Sequence, residues 1–514
     1  MLFILFLSVR APVCMAVNQV EEQTFVTPIG TFIGTSKLVQ YDGESKHVSR
    51  FFKIAYAKPP IGNSRFRRPE PFVYKKGEVY NSTTYGLHCI QYWVRIDQFY
   101  TFELEQSEDC LHLNMYIPGR TINASNKYAV MVYIHGGSFA VGGGEIYNGD
   151  VLSAFNDVIV ISINYRLDVL GFLSSGKPGD GNFGLWDMRA AILWVHENIK
   201  YFGGDNKRVT LFGNSAGGAA VMYQALYPPN RGLFQRIIAQ SGSCFSGMAF
   251  QRDTARMYNK LLNLVGCDKN TTNGRKFDTL RCLQETPIRV LQTVDLKQWL
   301  VPAVDEEFIP TNPAFLPYTN STKSIEALKF FSEVDFMNGI ASKDGSFYLI
   351  NVLTNETTDT LFDTVPFEKM IAEAIRKDFG KALTKSQIGQ LSHHYSYNNG
   401  KPTIASIIDF RTDLTFLVGA KYASKQHKSY HSLSGYGHNF FYVFDQIPSF
   451  APALSYLNGV SHAYELPYIF GFPEELEYKF KRNYRSDSFN TTSQEDVQFS
   501  KVIMKLWSNF AKYG

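Results

Sequence analysis

At 514 residues, with 45% hydrophobic and 15% aromatic content, the chain can bury a large core, which excludes a disordered tail, a coiled coil or a collagen-like fibre. Charged residues make up 19%, and 51 Lys+Arg against 47 Asp+Glu leave a net charge of +4. That is close to neutral for this length. No dense basic block occurs, so no nucleic-acid partner is expected.

The first element is an apolar run over residues 2–9, too short to span a bilayer. Cys14-Met15-Ala16 then places small residues at cleavage-like spacing, so residues 1–16 read as a signal peptide. No later run reaches the ~18 apolar residues of a membrane helix, and none is expected. The six cysteines are Cys14, Cys89, Cys110, Cys244, Cys267 and Cys282, and their pairing is open on sequence alone. Glycosylation sequons stand at Asn81, Asn123, Asn270, Asn320, Asn355 and Asn490, slightly more than composition gives by chance. These features agree on the secretory pathway: secretion or residence in the endoplasmic reticulum lumen, with the extracellular space favoured.

The middle of the chain is the most legible. Residues 129–134, 158–163, 209–212 and 236–239 are short apolar runs, each ending in a Gly, Asn or Ser break. Such runs read as strands buried on both faces. Apolar residues at Leu185, Met188, Ala191, Ile192, Val195 and Ile199 recur at helical period, and residues 218–226 suit a second helix. Alternating strands and helices predict an α/β fold: a central, mostly parallel sheet with helices on both faces. Residues 245–440 are less regular and read as long insertions in one domain. Chemistry is expected at the carboxyl ends of the strands.

Two of those ends carry motifs. Gly213-Asn214-Ser215-Ala216-Gly217 matches G-x-S-x-G between a predicted strand and helix. That context predicts a sharp turn holding the Ser215 hydroxyl out of the sheet as a nucleophile. His135-Gly136-Gly137-Ser138-Phe139 follows the run 129–134. Glycines let backbone amides approach a substrate, and such amides stabilise an oxyanion. The donors are assigned as the amides of Gly137, Ser138 and Ala216. His427 and His431 stand four apart, but without a carboxylate between them they read as a solvated helix face. No metal and no cofactor is expected.

Longer segments carry a resemblance. Residues 51–71 (FFKIAYAKPPIGNSRFRRPEP), 107–118 (SEDCLHLNMYIP), 164–173 (NYRLDVLGFL), 181–205, 209–218, 339–347 (GIASKDGSF) and 458–471 (NGVSHAYELPYIFG) resemble the type-B carboxylesterase/cholinesterase family of α/β-hydrolases. The likeness runs from about residue 24 to the end. It implies the α/β-hydrolase fold over residues 17–514. It also implies a triad of Ser215, Asp344 as the acid and His462 as the base, in the chain order of that fold. Relatives usually carry Glu where Asp344 stands, so the acid is one methylene shorter. Glu465 and Ser241 would support the triad from behind. Cys89–Cys110 and Cys267–Cys282 would be disulfides, leaving Cys244 unpaired. Arg65 with Glu108, and Arg166 with Asp187, would be buried ion pairs.

Three departures bear on substrate. Asn214 stands where many relatives have Glu. Tyr100 occupies the place where cholinesterases set an indole against a quaternary ammonium, and Trp is the better ring for that contact. Residues 296–300 (LKQWL) lack the paired Phe of an acetylcholinesterase acyl pocket. The final residues 507–514 resemble a family segment that normally continues for a few tens of residues, so a truncated C-terminus is expected. The reading is therefore a serine carboxylic-ester hydrolase acting through an acyl-enzyme on uncharged, apolar small-molecule esters. The alternatives are a non-catalytic adhesion or binding member of the same fold, and a cholinesterase. No oligomeric state follows from the sequence.

Overall fold

The computed structural model describes residues 20–91, 105–268, 271–272, 275–296, 298–349, 366–396, 401–430, 437–450, 458–471 and 493–514. The predicted signal peptide, Tyr100, Lys297, His431, Asn270, Asn355 and Asn490 lie outside them.

Among the described residues eleven strands form one sheet. In chain order they are β1 (Val20–Thr27), β2 (Gly30–Tyr41), β3 (Glu44–Ala55), β4 (Val79–Asn81), β5 (His112–Pro118), β6 (Tyr128–Ile134), β7 (Val158–Ile163), β8 (Gly204–Asn214), β9 (Arg236–Gln240), β10 (Asp335–Ala341) and β11 (Asn439–Phe444). Their order across the sheet is β1-β2-β3-β5-β7-β6-β8-β9-β10-β11, with β4 beside β2. From β7 to β11 every pairing is parallel. From β1 to β7 the neighbours are antiparallel. This is the α/β-hydrolase architecture, with an antiparallel N-terminal half that the sequence patterns did not reveal.

The apolar runs alternate between two cores. Val130, Val132 and Ile134 of β6 join one buried cluster, together with Ile159, Ile161 and Ile163 of β7. Ala129, Met131 and Tyr133 of β6 join the other, with Val158 and Val160. A strand apolar at every position is the consequence of burial on both faces. Helices α1 (Asp150–Asn156), α2 (Phe183–Asn198), α3 (Ala216–Ala225) and α4 (Thr322–Glu333) follow. Further along come α5 (Phe367–Phe379), α6 (Lys385–Tyr395), α7 (Ile404–Arg411), α8 (Val418–Ser429) and α9 (Gln494–Tyr513). Helices α2 and α3 cover the first core, and α1 and α9 the second. The less regular region builds a separate small core around Phe367, Ile371, Ile407 and Phe410. Among the described residues no helix is long and apolar enough to cross a membrane.

His427 corrects an expectation. It is fully buried on α8, where Nε2 donates to the Val334 carbonyl at 2.8 Å and Phe331 and Phe336 flank the ring. The end of α4 and the start of β10 claim the helix face that spacing alone assigned to solvent.

Two disulfides, Cys89–Cys110 and Cys267–Cys282, are formed, and Cys244 is a buried free cysteine. Arg65 grips Glu108 through two bonds of 2.7 Å, and Arg166 grips Asp187 likewise at 2.7 Å through both oxygens. Asp187 also accepts the Arg166 amide at 3.0 Å. Removing one partner of so buried a pair strands the other charge, whereas an exposed pair such as Lys58–Glu70 costs little to break. Asp187→Ala should therefore lower the unfolding free energy by about 3–5 kcal/mol in urea denaturation. Lys58→Ala should lower it by less than about 1 kcal/mol. Equal effects would contradict this account of the pairs.

Candidate active site

Ser215 sits at the junction of β8 and α3 with φ 59° and ψ −124°. That is left-handed backbone in a non-glycine residue, a strained state seen where function needs it. The neighbouring glycines make room for it. A Cβ on Gly213 would stand 2.5 Å from the Ile134 carbonyl oxygen, and one on Gly217 would stand 2.0 Å from the same atom. The turn is held by the Ser215 amide, which donates to Gln240 at 2.8 Å. Among the described residues the Ser215 hydroxyl has no hydrogen-bond partner. It is half-buried and lines a cleft that is partly open to solvent.

His462 lines the same cleft from the loop before a short helix, Leu466–Phe470. Its Nδ1 donates to Asp344 Oδ1 at 2.7 Å, and Asp344 is fully buried. The other carboxylate oxygen accepts the Ala341 amide at 3.0 Å. The shorter acid thus reaches the imidazole. Ser241 meets Asp344 through a shared donor. Its hydroxyl accepts the same Ala341 amide, at 3.3 Å.

Gly137, Ser138 and Phe139 form a turn in which all three φ values are positive, at 106°, 57° and 59°. Successive amides in such a turn make an anion-binding concavity. The amides of Gly137, Ser138 and Ala216 donate to no other group among the described residues. Ser138 and Ala216 line the cleft; Gly137 lies one residue behind. Ala216 is also the first residue of α3, where the helix dipole is positive.

The rest of the wall is apolar or hydroxylic; of it, Phe347 and Trp299 fall in segments that the family resemblance picked out, and Met248, Val301, Tyr348 and Phe416 do not. Phe347 and Phe416 flank His462, with ring centroids 5.3 and 4.9 Å away. Trp299, Val301, Met248 and Tyr348 complete the aromatic and aliphatic lining. Two of the cleft's serines are already occupied: Ser243 donates to Gly419 at 3.0 Å and Ser246 to Thr415 at 2.8 Å. Among the described residues no carboxylate lines the cleft. Phe416 and Thr415 belong to a π-helical turn, Thr412–Leu417, between α7 and α8. Side chains from residues 139 to 462 meet here, and no local pattern announces such convergence.

Glu465 lies behind the triad, buried. Its Oε1 accepts Asn214 Nδ2 at 2.6 Å and Gln240 Nε2 at 3.2 Å. Its Oε2 is buried without a partner among the described residues. Burial first, then the negative charge of Asp344, raises its pKa. The folded state therefore keeps this proton to higher pH than the unfolded chain does. Stability should fall as pH rises from the ordinary glutamate range through the raised folded value, then level off. In Glu465→Gln this component is absent. The variant's stability relative to wild type should grow as pH is raised from about 4 into the mildly alkaline range. Parallel stability–pH curves for the two proteins would rule out a titrating Glu465.

Of the sequons in the described residues, Asn81, Asn123 and Asn320 are all exposed. A family model described as "Carboxylesterase family" matches residues 21–514. The chain is 30% identical to bile salt-activated lipase of Bos taurus, over 98% of this chain and 81% of the lipase. It is 31% identical to neuroligin-2 of Homo sapiens, over 91% of this chain and 58% of the neuroligin. Against neuroligin-3 of Mus musculus the figures are 31%, 91% and 58%. The match covers nearly the whole described chain, including both strand ends that carry Ser215 and Ser138, so the chain belongs to the carboxylesterase family.

Proposed function

We propose that this protein is a serine ester hydrolase that acts through an acyl-enzyme on uncharged, apolar esters. The observation that carries the proposal is the 2.7 Å Asp344–His462 bond in the same cleft as a strained Ser215. Three amides without acceptors stand beside it. His462 takes the Ser215 proton as Oγ attacks the ester carbonyl, and the carbonyl oxygen gains charge beside the amides of Gly137, Ser138 and Ala216. The protonated imidazole, stabilised by Asp344, returns its proton to the leaving alcohol. Water then attacks the acyl-serine by the same route, releasing the acid and restoring Ser215. Substrate entry tightens contacts that are open in the free enzyme, so an unpaired Ser215 hydroxyl is compatible with this role.

The cleft wall supports a neutral substrate. Among the described residues it offers aromatic rings and aliphatic side chains but no carboxylate to hold a cation. Residues 1–16 as a leader, the two disulfides and the exposed sequons support a secretory destination. The neuroligins in the family sustain a second reading, a binding protein on the same fold. A fluorophosphonate probe separates the two: it should label wild type at Ser215 and leave Ser215→Ala unlabelled. Hydrolysis of a short neutral aryl ester should fall at least about 10³-fold in Ser215→Ala. A choline ester should be cleaved more slowly than its neutral isostere. Unlabelled wild type, or unchanged hydrolysis in the variant, would leave the binding-protein reading standing.

A further inference from the structure

An aspartate reaches one methylene less far than a glutamate. The 2.7 Å contact between Asp344 and His462 therefore requires the backbone of residue 344 to stand closer to the imidazole than a glutamate would need. The turn that carries Asp344, residues Asp344–Leu349, leaves β10 and rests on the start of the π-helical turn. The seating is tight: a Cβ on Gly345 would stand 2.2 Å from the Ile408 carbonyl oxygen and 2.5 Å from the Thr412 nitrogen. The Gly345 amide is captured there by the Thr412 hydroxyl oxygen at 2.8 Å, and Thr412 is itself buried. Four residues along the same turn, Phe416 packs against the His462 ring. One element thus holds both members of the acid–base pair. π-helical turns are rare, and they occur often at functional sites.

We propose that Thr412 is a positioning residue: by holding the Gly345 amide, its hydroxyl seats the residue-344 backbone close enough for an aspartate to engage His462. A second tie runs parallel to it. Lys343 pairs with Asp409 of α7 at 2.6 Å, and its amide donates to Val460, two residues before His462, at 2.9 Å. The salt bridge is partly exposed. The Thr412 bond is buried and adjoins Asp344 itself, so it sets the carboxylate's approach.

The catalytic consequence rests on the hydrolase reading above; the geometric one does not. The test uses Thr412→Val, which keeps shape and removes the acceptor, Thr412→Ser, which restores it, and Asp344→Glu alone and combined with Thr412→Val. Thr412→Ala replaces the valine variant should valine not fold. Selectively ¹⁵N-histidine-labelled protein reports the His462 Nδ1–H resonance, and steady-state kinetics on a neutral aryl ester report kcat and KM. Thr412→Val is expected to lower kcat by at least about tenfold with KM nearly unchanged, since only transition-state geometry is lost. The Nδ1–H resonance should shift toward that of a weaker hydrogen bond, and Thr412→Ser should restore both. In the Asp344→Glu background the same substitution should cost less than about threefold, because the longer side chain spans the gap. An unmoved Nδ1–H resonance in folded Thr412→Val, or an equal kcat loss in both backgrounds, would overturn the proposal. If wild type hydrolyses no ester, the hydrolase reading fails, while the resonance still decides the role of Thr412.

Discussion

The constraint on which the site depends is the close approach of three backbones at Ser215. Holding a non-glycine residue at φ 59° costs on the order of 1–3 kcal/mol, and the surrounding packing must offset it. It does so by leaving no alternative. Gly213 and Gly217 press against the end of β6, and a Cβ on Gly242, just past β9, would stand 1.8 Å from the Ser215 carbonyl oxygen. With the elbow wedged between β6 and β9, the residues that follow those strands are fixed relative to it. The turn after β6 brings the Ser138 amide, and β10, the next strand over, ends just before Asp344. Parallel strands end on one side of the sheet, so pieces far apart in sequence arrive together.

That same geometry decides what could be read from the sequence. The four central strands were legible because burial on both faces leaves a continuous apolar run, and the elbow was legible because its steric demands are local. The antiparallel β1–β3 region gave no such run, since these strands carry exposed and half-buried residues. Asp344 before a glycine has the local signature of any turn, and only resemblance singled it out. Phe416, Thr412 and Met248 had no signal, because a side chain becomes a cleft wall through what its helix packs against. His427 failed for the same reason in reverse: i, i+4 spacing identifies a helix face but not what that face meets.

The electrostatics of the site follow from where charge is allowed. Two carboxylates, Asp344 and Glu465, are buried near one imidazole, and each has its own hydrogen-bond donors. Asn214 matters here. A carboxylate in its place would face Glu465 Oε1 where an amide now donates at 2.6 Å, and one of the two acids would have to be protonated. The amide removes that conflict and leaves Glu465 with two donors on one oxygen and none on the other.

The cleft in front is built on the opposite rule. Its Ser243 and Ser246 hydroxyls donate back to the backbone and its rings turn apolar surface inward, so little solvation is on offer to a charged ligand. On the proposed hydrolase reading, a neutral ester loses little by entering. When it reacts, charge develops only between the oxyanion, beside free amides, and the imidazolium, beside Asp344. In water-poor surroundings each is then stabilised by a fixed partner rather than by reorganising solvent. A permanently cationic substrate would add a third charge with no counter-ion among the described wall residues. On the proposed hydrolase reading, a cleft with no carboxylate among its described lining residues, set in front of the Asp344–His462 pair, favours neutral substrates by the same physics that would stabilise the transition state.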